Sequence, residues 1–150
     1  FVNLEYLSLK NERLTEIPEG LVELKSLKVL DLSGNNFVNL PTNFFELRSL
    51  EELYLNDEKK LNLDSAIQVL VQLPNLKSLH LENDGIKMIP SEFNQLEQLE
   101  YLYLNGNKLK TIPENILQLK KLKFIDMNQN QINRRNWNSN NPCSNITIKF

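Results

Sequence analysis

Hydrophobic positions along this chain recur on a ruler of 23 residues. Six frames open at Leu4, Leu27, Leu50, Leu76, Leu99 and Leu122, and only the step from Leu50 to Leu76 departs, at 26 residues. Each frame runs apolar, two free, apolar, one free, apolar: Leu4-x-x-Leu7-x-Leu9 is the first and Leu122-x-x-Ile125-x-Met127 the last. In Leu27-Lys28-Val29-Leu30-Asp31-Leu32 the alternation predicts a short strand, with Leu30 and Leu32 facing in and Val29 and Asp31 facing out. A polar residue follows three positions later, then a second apolar group. Four apolar–proline pairs (Ile17-Pro18, Leu40-Pro41, Ile89-Pro90, Ile112-Pro113) then end strand pairing. After them, Leu21 and Leu24, Phe44 and Leu47, Phe93 and Leu96, and Ile116 and Leu119 predict a short buried turn at helical spacing. Self-similarity at this period predicts a solenoid of stacked parallel strands, in which each repeat contacts only its neighbours.

The third frame departs most. Asp64 stands where the other repeats have proline, and Ile67, Leu70 and Leu73 continue at helical spacing. A true helix is expected over Ala66 to Leu73, capped by Asp64 or Ser65, with the three extra residues after Leu70. The polar position after each strand is Glu12, Asn35, Glu58, Asp84, Asn107 and Asn130. An asparagine amide donates to and accepts from turn backbone, and stacked copies make a ladder. An ionised carboxylate only accepts, so Glu12 and Glu58 are expected to turn outward. Leu61 is displaced by one, and the turn around Asp57 to Lys60 is expected to be the least ordered.

The repeated L-x-x-L-x-L-x-x-N-x-L frame resembles the leucine-rich-repeat family over essentially the whole chain. The resemblance implies an α/β fold: a right-handed horseshoe arc with a parallel sheet on the concave face and short helical or irregular segments on the convex face. It implies one elongated domain over 1–150. Its repeats would be 4–26, 27–49, 50–75, 76–98, 99–121 and a degenerate 122–144, followed by a closing strand over 145–150. In that strand Ile146, Ile148 and Phe150 share one face, placed to cover the last hydrophobic layer. This end is similar to the Pro-x-Cys…Ile-x-Phe ends of secreted spirochaete-type repeat proteins, and Cys143 is expected to pack as a small apolar group. The first strand has no equivalent cover, so a monomer or a weak dimer through that open strand is expected.

Charge changes the picture mainly by exclusion. A net charge of −2 and a pI near 5.5 give no basic stripe for nucleic acid. No apolar run reaches membrane-spanning length. Abundant asparagine and a single alanine, Ala66, fit an AT-rich bacterial genome. A chain that opens on Phe1 and enters a repeat at Leu4 reads as processed or cropped, compatible with a secreted or cell-surface protein; a cytoplasmic scaffold is the alternative.

Outward strand positions form three columns. Glu5, Lys28, Glu51, Lys77, Glu100 and Lys123 alternate in charge and read as a self-neutralising ladder. The second column is Tyr6, Val29, Glu52, Ser78, Tyr101 and Phe124. The third is Ser8, Asp31, Tyr54, His80, Tyr103 and Asp126. Every tyrosine and the only histidine lie in these two columns, facing away from the core. Tyrosine gives large contact area at low entropy cost, so it is enriched in binding hot spots. The candidate partner-binding residues are Tyr6, Asp31, Glu52, Tyr54, His80, Glu82, Tyr101, Tyr103, Phe124 and Asp126. One histidine without a second histidine or cysteine gives no strong zinc site. No Ser-His-Asp or Cys-His set and no glycine-rich phosphate loop is present, so neither catalysis nor a cofactor is expected. The leading reading is a non-enzymatic module gripping a protein ligand through its concave face, as an exported bacterial protein contacting host proteins. An intracellular scaffold, a self-associating structural protein and a glycan-binding module are the alternatives.

Overall fold

The computed structural model describes residues 3–136 and 145–150. Its seven strands are β1 (Tyr6–Ser8), β2 (Val29–Asp31), β3 (Glu52–Tyr54), β4 (Ser78–His80), β5 (Tyr101–Tyr103), β6 (Phe124–Asp126) and β7 (Thr147–Lys149). They form one parallel sheet in chain order. The register matches the repeat frame: Leu7, Leu30, Leu53, Leu79, Leu102, Ile125 and Ile148 are partners in one row. This is a leucine-rich-repeat arc, with the sheet on its concave face and one continuous apolar core behind it.

A strand of three residues ends because the next turn needs a left-handed backbone. Three positions after each of the first six strands φ is positive: Asn11 (61°), Gly34 (72°), Asp57 (59°), Asn83 (62°), Gly106 (73°) and Gln129 (56°). Glycine, asparagine and aspartate enter that region at least cost. In the first five the conformation aims the N–H at the next repeat: Asn11 donates to the Ser33 carbonyl, Gly34 to Asn56, Asp57 to Glu82, Asn83 to Asn105 and Gly106 to Asn128. The ladder behind the turns then takes over. Asn35 donates to the carbonyls of Leu9 and Leu32 and accepts from the Leu14 N–H. Asn107 donates to Leu81 and Leu104 and accepts from Asp84 and Ile86.

On the convex side each proline carbonyl accepts the first bond of a tight turn, from Leu21, Phe44, Phe93 and Ile116 respectively. These turns are 3-10 segments at Glu19–Glu23, Phe44–Glu46, Ser91–Gln95 and Ile116–Gln118. A fixed proline φ suits the entry, and the missing N–H is not required there.

The third repeat builds the one α-helix among the described residues, α1 (Leu63–Leu70). It begins three residues earlier than Ala66 and ends three before Leu73. The cap is Asn62, not Asp64 or Ser65: its side chain accepts from the Ser65 N–H at 3.0 Å and its carbonyl from Ala66. With no proline at position 64, the first turn propagates. Pro74, past the end, prevents continuation. Leu73 is still buried, through a bond from its N–H to the Leu70 carbonyl.

Two further expectations are corrected. Glu58 does not turn outward: it is 1% exposed, and one carboxyl oxygen accepts from the Asn35 N–H at 2.5 Å. The turn around it is fastened rather than loose, because Glu58 N–H donates to Asp84 and Leu61 N–H to the Glu58 carbonyl. That extra tight turn explains the displaced leucine, which packs against the core from its shifted position. Glu12 is exposed, as expected. Strand β7 adds to β6, and Ile146, Ile148 and Phe150 pack on the core while Arg134 sits 5.0 Å over the Phe150 ring. Cys143 lies outside the described residues.

Candidate functional site

Register brings the two aromatic columns together. Asp31, Tyr54, His80, Tyr103 and Asp126 are direct partners across β2 to β6, as are Val29, Glu52, Ser78, Tyr101 and Phe124. In the first row the rings of Tyr54 and His80 stack with centroids 3.8 Å apart and 16° between planes. His80 and Tyr103 stack at 4.2 Å and 4°. Tyr103 meets Phe124 at 5.6 Å, tilted by 51°. Parallel strands about 4.8 Å apart hold planar rings at stacking distance without distortion. The imidazole is 8% exposed, sealed between two phenols.

Polar groups fix the imidazole in its plane. Nε2 lies 3.0 Å from Glu52 Oε1 and 3.2 Å from Ser78 Oγ. An ionised carboxylate only accepts, so the Nε2 proton donates to Glu52. Tyr54 donates its hydroxyl to the same Oε1 at 2.8 Å. On the other side Glu82 Oε2 stands 3.6 Å from Nδ1, held by the Asn56 amide at 2.7 Å. Burial raises the Tyr54 phenol above its usual value, with the Glu52 hydrogen bond adding to it. Burial does the same for Tyr103, helped by the negative potential of Glu52 and Glu82.

Other predicted residues are less involved. Tyr6, on β1, is 59% exposed and lies two strands from Tyr54 on β3, outside the stack. Asp31 adjoins Tyr54 but its Oδ1 caps the following turn at Ser33 N–H. Asp126 is buried, caps the turn at Asn128 and pairs with Lys149 at 3.2 Å. The acidic flank on that side is thus neutralised by Lys149, which continues the column onto β7. Counting 23 positions beyond Asp126 would have found it. Ser78 was also missed as a contributor; its small size opens a cavity of about 280 Å³ lined by Glu51, Glu52, Lys77, Ser78, Tyr101 and Tyr103.

The charged column pairs in twos. Lys28 meets Glu5 at 2.9 Å, Lys77 meets Glu51 at 3.1 Å and Lys123 meets Glu100 at 2.5 Å. Each lysine reaches back to the preceding strand, and the column adds little net field. Among the described residues, no group of three or more His, Cys, Asp or Glu side chains could hold a metal ion.

Comparison with known proteins agrees with the architecture. A family model described as "Leucine-rich repeat region" matches residues 1–74, and a second, "Leucine rich repeat", matches 74–132. The chain belongs to the leucine-rich-repeat family. Among solved structures it is similar to internalin C2 of Listeria monocytogenes, at 26% identity and TM-score 0.74, covering 97% of this chain and 60% of that one. It is also similar to a leucine-rich-repeat protein of Leptospira interrogans, at 26% identity and TM-score 0.59, covering 84% of this chain and 37% of that one. The chain therefore spans about three fifths or less of these two proteins. A search of curated proteins finds no match. The fold is that of a general protein-interaction module, typically without enzymatic activity, and no helix among the described residues is long and apolar enough to cross a membrane.

Proposed function

We propose that this chain is a recognition module that binds a protein ligand through its concave sheet, centred on Tyr54, His80 and Tyr103 with Glu52, Tyr101 and Phe124 beside them. The stacked row on the open side of the sheet carries the reading. These rings contribute nothing to the core, which lies on the opposite side with Leu53, Leu79 and Leu102 fully buried. Rigid aromatics already held in place by neighbours lose little entropy when a partner covers them. The two solved structures named above are bacterial, which supports a bacterial source. Export, and contact with host proteins, belong to the proposal on the same footing.

The test is capture of partners from host-cell surface extract and from bacterial lysate. The baits are the wild type and a Tyr54→Glu, Tyr103→Glu double variant, matched by circular dichroism. The double variant should weaken capture by about tenfold or more, as expected when hot-spot rings are replaced by charge. Equal capture by both proteins would sink the concave-face reading.

A further inference from the structure

The second column contains one small residue between two large ones. Ser78 is the register partner of Glu52 on one side and of Tyr101 on the other. Glu52 and Tyr101 are therefore two strand spacings apart, roughly 10 Å, with only a serine between them. The gap is the cavity of about 280 Å³, closed on one side by Tyr103 and on the other by the Glu51–Lys77 ion pair.

The chemistry of this slot is one-sided. Its one cation, Lys77, is paired with Glu51. Glu52 uses Oε1 for both the Tyr54 hydroxyl and the His80 ring, and no protein donor is assigned to Oε2. Its side chain is 32% exposed, so that oxygen is within reach of an incoming donor. The aromatic wall suits the same charge: the negative face of a phenol ring attracts cations. Tyr101 already holds Lys123 Nζ at 6.0 Å from its centroid. Burial is the main cause of the raised Tyr54 and Tyr103 phenols, and the negative potential of Glu52 adds to both.

We infer that the slot between Glu52 and Tyr101, floored by Ser78, receives an arginine or lysine side chain of the protein partner. Its charged head bonds Glu52 Oε2 while its stem lies along the Tyr101 and Tyr103 rings. This rests on the concave-face reading and names the chemistry that the partner must bring. A slot with a carboxylate at one end discriminates by charge, because a neutral isostere of the same shape forfeits the ionic hydrogen bond.

The experiment is an amide NMR titration with three small probes: N-acetyl-arginine amide, N-acetyl-lysine amide and the neutral N-acetyl-citrulline amide. Saturable shifts at Lys77, Ser78 and Tyr101 are expected for a cationic probe, with citrulline weaker by about fivefold or more. Glu52→Gln keeps an acceptor for Tyr54 and His80 while removing the charge, and should weaken the cationic probes by a similar factor. Ser78→Leu fills the slot without touching the charge and should abolish the shifts. If that variant loses spectral dispersion, Glu52→Gln alone decides. Citrulline binding as well as arginine, unchanged binding in Glu52→Gln, or no saturable shift at these amides would overturn the inference. Failure of the probes while partner capture still depends on Tyr54 and Tyr103 removes the anchor and leaves the concave-face reading intact. Probe binding with capture indifferent to the tyrosines would leave a slot for cations but overturn its assignment to the protein partner.

Discussion

The outer repeats and the two central ones follow the same ruler but satisfy it differently. In the second, fifth and sixth repeats the turn ladder is Asn35, Asn107 and Asn130, each amide donating to two strand-end carbonyls or more. In the third and fourth it is Glu58 and Asp84, each with one buried carboxyl oxygen that has no partner. The asparagines serve the carbonyls of Leu9, Leu32, Leu81, Leu104 and Met127. Leu55, between Glu58 and Asp84, is the strand-end carbonyl that no ladder amide reaches. The same two repeats carry α1, the 26-residue interval, Tyr54, His80 and the Ser78 slot. The irregular backbone thus lies directly behind the aromatic stack. The regular repeats complete the amide ladder, and the central pair carries the features that distinguish this chain.

The largest test of that division is Asn107→Ala. It leaves the Leu81 carbonyl and the N–H groups of Asp84 and Ile86 without their side-chain partner in a buried turn, while the Leu104 carbonyl keeps the Asn130 amide. Stranded backbone groups each cost on the order of 1 kcal/mol, so a loss of about 3 kcal/mol in urea unfolding is expected. A loss under about 1 kcal/mol would mean that water replaces the amide freely, and that the ladder is not what holds the outer repeats.

The central pair should instead respond to pH. Burial pushes the Glu58 carboxyl up to about 7 and Asp84 up to about 8, with mutual repulsion adding to Asp84. Both folded values lie above the unfolded ones, so the folded protein holds protons that the unfolded chain has released. Their contribution to stability is fully present below the unfolded values. It declines as pH rises, between about 4.5 and 7 for Glu58 and between about 4 and 8 for Asp84. Protonated, each gains a donor that an ionised carboxylate lacks. Wild type should therefore unfold at lower urea at pH 8 than at pH 5.5. Asp84→Asn should raise stability at pH 8 by about 1–2 kcal/mol and flatten the profile. An unchanged slope in a Glu58→Gln, Asp84→Asn double variant would assign the pH dependence elsewhere.

How much of this was legible beforehand follows from what each position answers to. The inward leucines answer to the period alone, so strands, register and outward columns could be counted off, including the row Tyr54, His80 and Tyr103. Glu58 could not. A lone ionisable residue reads as exposed, and its burial depends on two groups elsewhere, the Asn35 N–H that it accepts from and Asp84 that accepts from it. The start of α1 was misplaced for a related reason. Asp64, Ser65 and Asn62 are all competent caps, and only the bond from Asn62 to Ser65 N–H decides among them. The Ser78 slot is invisible as a motif because it consists of a missing side chain between two neighbours 26 and 23 residues away.

The turn glycines give the finest comparison. Gly85 and Gly106 have nearly the same backbone, with φ of 75° and 73°. A Cβ at Gly85 would meet nothing within 4 Å, whereas at Gly106 it would collide with the Asn83 side-chain oxygen. Both alanine variants bear the left-handed cost of about 1 kcal/mol. Only Gly106→Ala must also displace Asn83, an exposed side chain that can move aside. The difference between the two should therefore be small, about 0.5 kcal/mol, which is the range of a surface adjustment rather than a core one. Asn83→Ala removes the obstacle. In that background the two glycine substitutions should cost the same, which a double-mutant cycle reads directly. A gap that persists without the Asn83 side chain would show that backbone strain at Gly106, not packing between neighbouring turns, is what requires glycine there.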